Sequence, residues 1–381
     1  MQTKKLVGLN VLRAIAIFTM VIAHSIRTQS NFSMIFSHRE KATLFDQALL
    51  FFIDVEPIIS AFFLFIAGFS LTLSFSNRCK QSATSTWPWL RGVSKKALSL
   101  YLIASVFFIA EHGFQLPDVL VSPGILSIIG LSIGLTAFFL TTSKPFWLNG
   151  IFVGLVMLIT FVLEQERIQI TGLNTGPGGT FPLICLCPLG AILGNIYQRW
   201  QDNGLFVALI FCLVVTVFAL TINYPWTFTY ESVFQRYSFS YVDQISLSLK
   251  YLFGADQIGY SSYAARYWNH ASIFPLRVIG ILVFTTFIFI KVFQNIPKHW
   301  LLQKATSFLN YLGSHALSLY IIHLLLLAII EVTGLKTWTG WQTWILVVGL
   351  IGLSAALVSI RERKALPFMK RLIDGLDPDT Q

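Results

Sequence analysis

Ten runs of about twenty apolar residues each constrain this chain more than anything else in it, because a run that long matches the thickness of a bilayer core. They lie near 6–26, 57–76, 97–111, 120–141, 147–163, 180–197, 204–222, 272–291, 308–330 and 342–360. The runs are continuous rather than alternating, which argues against a β-barrel. Soluble domains carry about 25% charged residues, and this chain of 381 carries 12%. The reading is all-α: a polytopic transmembrane helical bundle of about ten spans. It forms one integral-membrane domain over 1–381, with a short cytoplasmic tail at 365–381.

Charge sets the orientation. With the N-terminus cytoplasmic, 17 of the 27 Lys and Arg fall on inner segments, nine fall outside, and Arg13 lies within the first span. Ten spans with both termini cytoplasmic therefore obey the positive-inside rule. The basic loop 77–96 and the basic tail carry most of the asymmetry. The net charge of +10 then reflects topology, and no nucleic-acid partner is implied. Lys4 and Lys5 precede the first run, but Arg13 interrupts it and no clear cleavage site follows, so the segment is expected to stay. The stretch 44–56, FDQALLFFIDVEP with its neighbours, carries Asp46, Asp54 and Glu56. It reads as an interfacial or re-entrant helix leading into the second span, or as a separate short span.

Three outer segments are long: 27–45, 164–179 and 223–271. The last is rich in Tyr and Trp, which serve either as interfacial anchors or as a stacking surface for sugars. The glycines at 176, 178 and 179 form a turn, with no strand–helix context for a phosphate loop. Four cysteines give neither a disulfide framework nor zinc spacing, and Cys185 and Cys187 read as small apolar packing. No metal is expected.

The costly residues are polar ones inside spans. Arg13 and His24 stand eleven positions apart, which brings them round to nearly one helix face, about 16 Å apart along the axis. Either the arginine snorkels to headgroups and the histidine lies at the interface, or they form one polar stripe through the bilayer. In the second case Arg13 suits an anionic group arriving from the cytoplasm, and His24 suits proton or acyl transfer near the far side.

These residues carry a resemblance. LNVLRAIAIFTMVIAH (9–24) resembles the opening of the membrane-bound acyltransferase superfamily, where an Arg-x10-His pattern begins the first span. That superfamily includes the acyltransferase-3 proteins and the heparan-α-glucosaminide N-acetyltransferase group with its bacterial relatives. AFFLFIAGFSLTLSFSNR (61–78) is similar to the superfamily's second-span motif, which a basic loop follows. FPLICLCPLGAILGN (181–195) resembles a stretch of the heparan-acetyltransferase-like branch, and LGSHALSLYIIH (312–323) a late-span motif common across the superfamily. The bacterial heparan-acetyltransferase-like branch is the closest in pattern.

The resemblance implies transfer of an acyl, by expectation acetyl, group from cytoplasmic acyl-CoA to a hydroxyl or amine of an extracytoplasmic saccharide or glycolipid. Basic residues of the inner segments, among them Arg78, Arg91 and Arg199, would bind CoA phosphates, and Arg13 the pantetheine or phosphate end. His24 would act as general base or as transient acyl carrier. Asp54 and Glu56 would orient its imidazole, or are wetted acids on an interfacial helix. His323, with Tyr320 one turn earlier, is either a site residue or a helix–helix hydrogen bond. His315 reads as a capping or headgroup contact near the inner end. Asn195 is a further CoA contact candidate, while His270 and Arg277 either line the acceptor entrance or anchor the eighth span. The expected location is a bacterial inner membrane, with oligomerisation open. The alternative is a transporter or flippase for a lipid-linked or anionic metabolite, against which stands the lack of paired halves.

Overall fold

The computed structural model describes residues 6–29, 43–81, 86–112, 118–121, 124–166, 168, 180–221, 272–294, 300–333 and 340–363. The long aromatic segment 223–271 with His270, the glycines 176–179, most of 27–45 and the tail lie outside the described residues. So do the side chains of Asp54 and Glu56.

Among the described residues every regular element is helical. The helices are α1 (Val7–Gln29), α2 (Leu44–Gln81), α3 (Thr86–His112), the single turn α4 (Asp118–Val121), α5 (Ile125–Leu140) and α6 (Pro145–Gln165). After a 3₁₀ turn at Leu183–Cys185 come α7 (Leu186–Thr221), α8 (Phe274–Gln294), α9 (Trp300–Ser314), α10 (Ala316–Val332) and α11 (Gly340–Arg363). Seven helices among the described residues are long and apolar enough to cross a membrane, or eight if the bent pair α9–α10 is one span. Of the remaining expected spans, one corresponds to α5, which has 16 residues. Another is folded into α7, whose two arms meet at Gln201, a non-helical residue with φ 50°. The sequence Gln-Asp-Asn-Gly from 201 supplies that turn.

The stretch 44–56 leads into the second span without a break and is not a separate one: a single 38-residue helix runs from Leu44 to Gln81, and its apolar span is Ile58–Arg78. Its start is held by a reciprocal cap: Thr43 N–H donates to the Asp46 carboxylate (3.0 Å), and Asp46 N–H donates to the Thr43 hydroxyl oxygen (3.3 Å). The expected span 308–330 is broken instead, with α9 and α10 meeting at 76°. At the break the Ser314 hydroxyl donates back to the Tyr311 carbonyl (2.8 Å). The His315 N–H is shared between the Tyr311 and Leu312 carbonyls. Side-chain competition of this kind unwinds a helix end.

The chain divides into two compact units. One holds α1, the first part of α2, the last residues of α8, and α9, α10 and α11. Here α1 is the most enclosed of the spans, with 72% of its apolar window buried, and α9, α10 and α11 all pack on it. The fit against α9 is close enough that a Cβ on Gly313 would collide with the Asn10 carbonyl.

The other unit holds α2 from Ser60 onward, α3 to α7 and most of α8. In it α7 carries Gly190-x-x-x-Gly194 and lies against α2. A Cβ on Gly190 would strike the Phe65 carbonyl, and one on Gly68 the Cys187 carbonyl. Small residues permit such backbone approach, which replaces the hydrophobic drive that lipid removes. Thr72 donates across this seam to the Ala191 carbonyl (3.3 Å), and Gln198 Nε2 donates to the Thr72 carbonyl (2.9 Å). Position numbers rise together on both helices, so α2 and the first arm of α7 run in the same direction. Cys185 and Cys187 are free and buried, as packing residues should be. Arg277, fully buried, donates through Nε to the Ala219 carbonyl (3.4 Å) in the last turn of α7. That places a cation at the negative end of a helix dipole and makes Arg277 an anchor of this unit.

Candidate active site

α1 presents polar side chains at two levels, and the broken α9–α10 segment answers both. At the lower-numbered level Arg13 Nη1 donates to the Asn10 Oδ1 (3.0 Å), while Asn10 Nδ2 donates to Asn310 Oδ1 of α9 (3.0 Å). Asn10 is only 6% exposed and Arg13 is partly buried. An amide has one acceptor and one donor end, and Asn10 uses one for each neighbour. The guanidinium is therefore oriented by its own helix, which is in turn pinned to α9.

At the second level His24 Nδ1 lies 3.1 Å from His323 Nε2 of α10. The two rings are nearly parallel, with centroids 5.3 Å apart. Tyr320 meets both rings edge-on, 5.7 Å from His24 and 5.1 Å from His323. His323 is fully buried, Tyr320 is 6% exposed, and His24 is partly exposed. The structure thus unites three of the residues singled out from sequence: His24, His323 and Tyr320. It shows that the His24 side of α1 faces the protein, as the stripe reading requires. Edge-on aromatic contacts fix ring planes, so both imidazoles stand in a fixed orientation.

The other expected CoA-binding cations, Arg78, Arg91 and Arg199, lie with Lys144 in the second unit, where packing draws them to one end. Phe75 of α2 meets Trp89 of α3 at 4.8 Å, and Trp89 shares a cluster with Leu140 of α5. Arg78 follows Phe75 by about one turn, Arg91 follows Trp89 by two residues, and Lys144 follows Leu140 by four. Arg199 is adjacent to Gln198, which bonds Thr72. All four cations are exposed. At the opposite end of that unit the Glu164 carboxylate accepts from the Ser272 N–H (3.1 Å) just before α8.

The sequence reading missed Asn10 and Asn310. His315, read as a cap or headgroup contact, sits at the α9–α10 break with its ring 4.9 Å from Tyr311. Asn195 turns its amide onto the Ala191 carbonyl of its own helix (3.1 Å).

A many-spanning helical membrane protein with paired histidines between its first and a late span is the class defined so far. The family model of the heparan-alpha-glucosaminide N-acetyltransferase catalytic region matches residues 6–199, from the start of α1 through the first arm of α7. The chain belongs to that family, and hence among membrane acetyltransferases. No curated protein matches it in sequence. The match includes Arg13 and His24 but ends before Asn310, Tyr320 and His323, so the partners of α1 come from the part of the chain beyond it.

Proposed function

We propose that this protein transfers an acetyl group from cytoplasmic acetyl-CoA to a hydroxyl or amine of an extracytoplasmic saccharide or glycolipid, with His24 as the reacting base. The single observation that carries the reading is the His24–His323 contact, a partly exposed imidazole backed by a buried one among apolar helices. Intramembrane ionisable groups are costly and are retained for chemistry or transport, and family membership favours chemistry. In the transfer, His24 takes the proton from the acceptor as its oxygen or nitrogen attacks the thioester carbonyl. The carbon–sulfur bond then breaks, and the proton passes to the leaving CoA thiolate. The result is an acetylated acceptor and free CoA, with no net change in protons.

The exposed cations Arg78, Arg91 and Arg199 suit the CoA phosphates, and Arg13 suits the pantetheine or pyrophosphate portion. Two features support ten spans with the basic end inward. The first is the collection of Arg78, Arg91, Lys144 and Arg199 at one end of a unit. The second is the shared direction of α2 and the first arm of α7, which calls for an odd number of crossings between them and so counts the short α5 as one. Asp54 and Glu56 remain candidates for steering protons near His24. A bacterial plasma membrane is the proposed location.

The test is labelled acetyl-CoA supplied to membranes or inside-out vesicles, followed by recovery of labelled glycan. The intact protein should label an acceptor on the far side, and His24→Ala protein of equal abundance should not. Full labelling by His24→Ala would sink the catalytic role.

A further inference from the structure

The hydrogen bonds around the histidine pair settle which nitrogen of His24 can react. His323 Nδ1 lies 3.1 Å from the Leu319 carbonyl one turn back on α10. A carbonyl oxygen only accepts, so His323 Nδ1 carries the proton and donates it. In the neutral ring its Nε2 is then a bare acceptor. That Nε2 faces His24 Nδ1 at 3.1 Å, and a hydrogen bond there requires His24 Nδ1 to be the donor. The chain of donors runs from His24 to His323 to a helix carbonyl, and it fixes both tautomers together. Tyr320, edge-on to both rings, opposes the ring rotation that would exchange the two nitrogens.

Resting on the acyl-transfer reading above, we infer that His323 is a positioning residue: it holds His24 as the Nδ1–H tautomer, so that Nε2 is the atom that takes the acceptor's proton. The arrangement gives a neutral imidazole the role that an orienting carboxylate has in hydrolase triads. As the acceptor attacks, the O–H or N–H bond breaks and the proton moves to His24 Nε2, making an imidazolium. Its Nδ1–H then donates more strongly to the His323 Nε2 lone pair, which stabilises the developing positive charge without itself taking the proton. When the carbon–sulfur bond breaks, the proton leaves Nε2 for sulfur and the pair returns to its starting tautomers. A neutral partner suits hydrocarbon surroundings, because a buried carboxylate there would itself have to be desolvated. Leu319 completes the relay with a backbone group, which no side-chain substitution at that position removes.

Full-length protein labelled with ¹⁵N-histidine in lipid nanodiscs tests this directly, with His24 assigned by difference from His24→Gln. The expected spectrum has His24 Nδ1 protonated and Nε2 bare. His323→Leu should return His24 to a mixed tautomer and lower kcat at least about tenfold, the loss of an orienting triad partner reaching about 10⁴. The KM for acetyl-CoA should stay within about twofold. His323→Gln can place an amide oxygen near the lost Nε2, and should recover both the tautomer and most of the rate. A protonated Nε2 in the unaltered protein would overturn the inference, as would an unchanged tautomer and kcat in a folded His323→Leu variant. A leucine variant that fails to fold leaves the decision to His323→Gln and the unaltered spectrum. The spectrum also separates the two ideas: if the unaltered protein transferred no acetyl group to any acceptor, the acyl-transfer reading would fall while the tautomer was still decided.

Discussion

Asn10 and Asn310 are 300 positions apart in the chain, yet their amides meet at 3.0 Å and the same Asn10 accepts from Arg13. Interhelical hydrogen bonds in membranes contribute only about 0.6 kcal/mol on average. The pair therefore matters less for holding α9 than for aiming the guanidinium. Asn310→Ala should lower the melting stability of detergent-purified protein by less than about 2 kcal/mol, at the upper end of such bonds. It should raise the acetyl-CoA KM more than it lowers kcat. Asn310→Asp keeps an acceptor and should stay nearer the parent. A KM unchanged in Asn310→Ala would show that the amide chain does not reach the donor site.

Arg13 offers a planar set of donors that lysine cannot copy. Hydrogen bonds to charged groups contribute about 1.5–3 kcal/mol. Arg13→Ala should therefore raise the acetyl-CoA KM by roughly ten- to a hundredfold. Arg13→Lys should fall between, since it keeps the charge but loses the bond geometry to Asn10. Parent-like steady-state kinetics in both variants would mean that neither charge nor shape at this position is read by the donor.

The α2–α7 seam has no room for a side chain at Gly190. Gly190→Leu should abolish recovery of monodisperse protein in fluorescence-detected size exclusion. Gly154 of α6 meets nothing within 4 Å, and Gly154→Leu should be recovered at near-parent yield. Similar yields for the two would contradict the packing described.

Orientation is open to labelling. In a background with Cys79→Ser, Lys144→Cys and Arg199→Cys should react with a membrane-impermeant maleimide only after the cytoplasmic face is exposed. Glu166→Cys, from the other end of that unit, should react in intact spheroplasts. The reverse pattern would invert the topology and move the donor cations to the wrong side.

Much of the fold was legible because hydropathy over twenty residues is a summed signal that single errors barely disturb. His323 and Tyr320 were legible for a related reason: a histidine within LSLYIIHLLLL has few cheap explanations. The α9–α10 break was not, because Gly313, Ser314 and His315 lie within an otherwise apolar run and the unwinding depends on which carbonyls the Ser314 hydroxyl and His315 N–H reach. Nor was the continuity of α2, since Asp46 reads as an interfacial charge until its reciprocal bond with Thr43 is seen. Asn10 and Asn310 were invisible for a plainer reason. A lone asparagine in a helix carries no spacing pattern, and its meaning lies in a partner 300 residues away.

That separation has a consequence for synthesis. α1 enters the membrane first, but Asn310 and His323 leave the ribosome about 300 residues later. At roughly 5–20 residues per second the first span waits on the order of 15–60 s before Asn10 and His24 can meet Asn310 and His323. Until the broken segment arrives, holding those polar side chains in hydrocarbon is costly. Truncation anywhere before residue 300 would leave α1 stranded there.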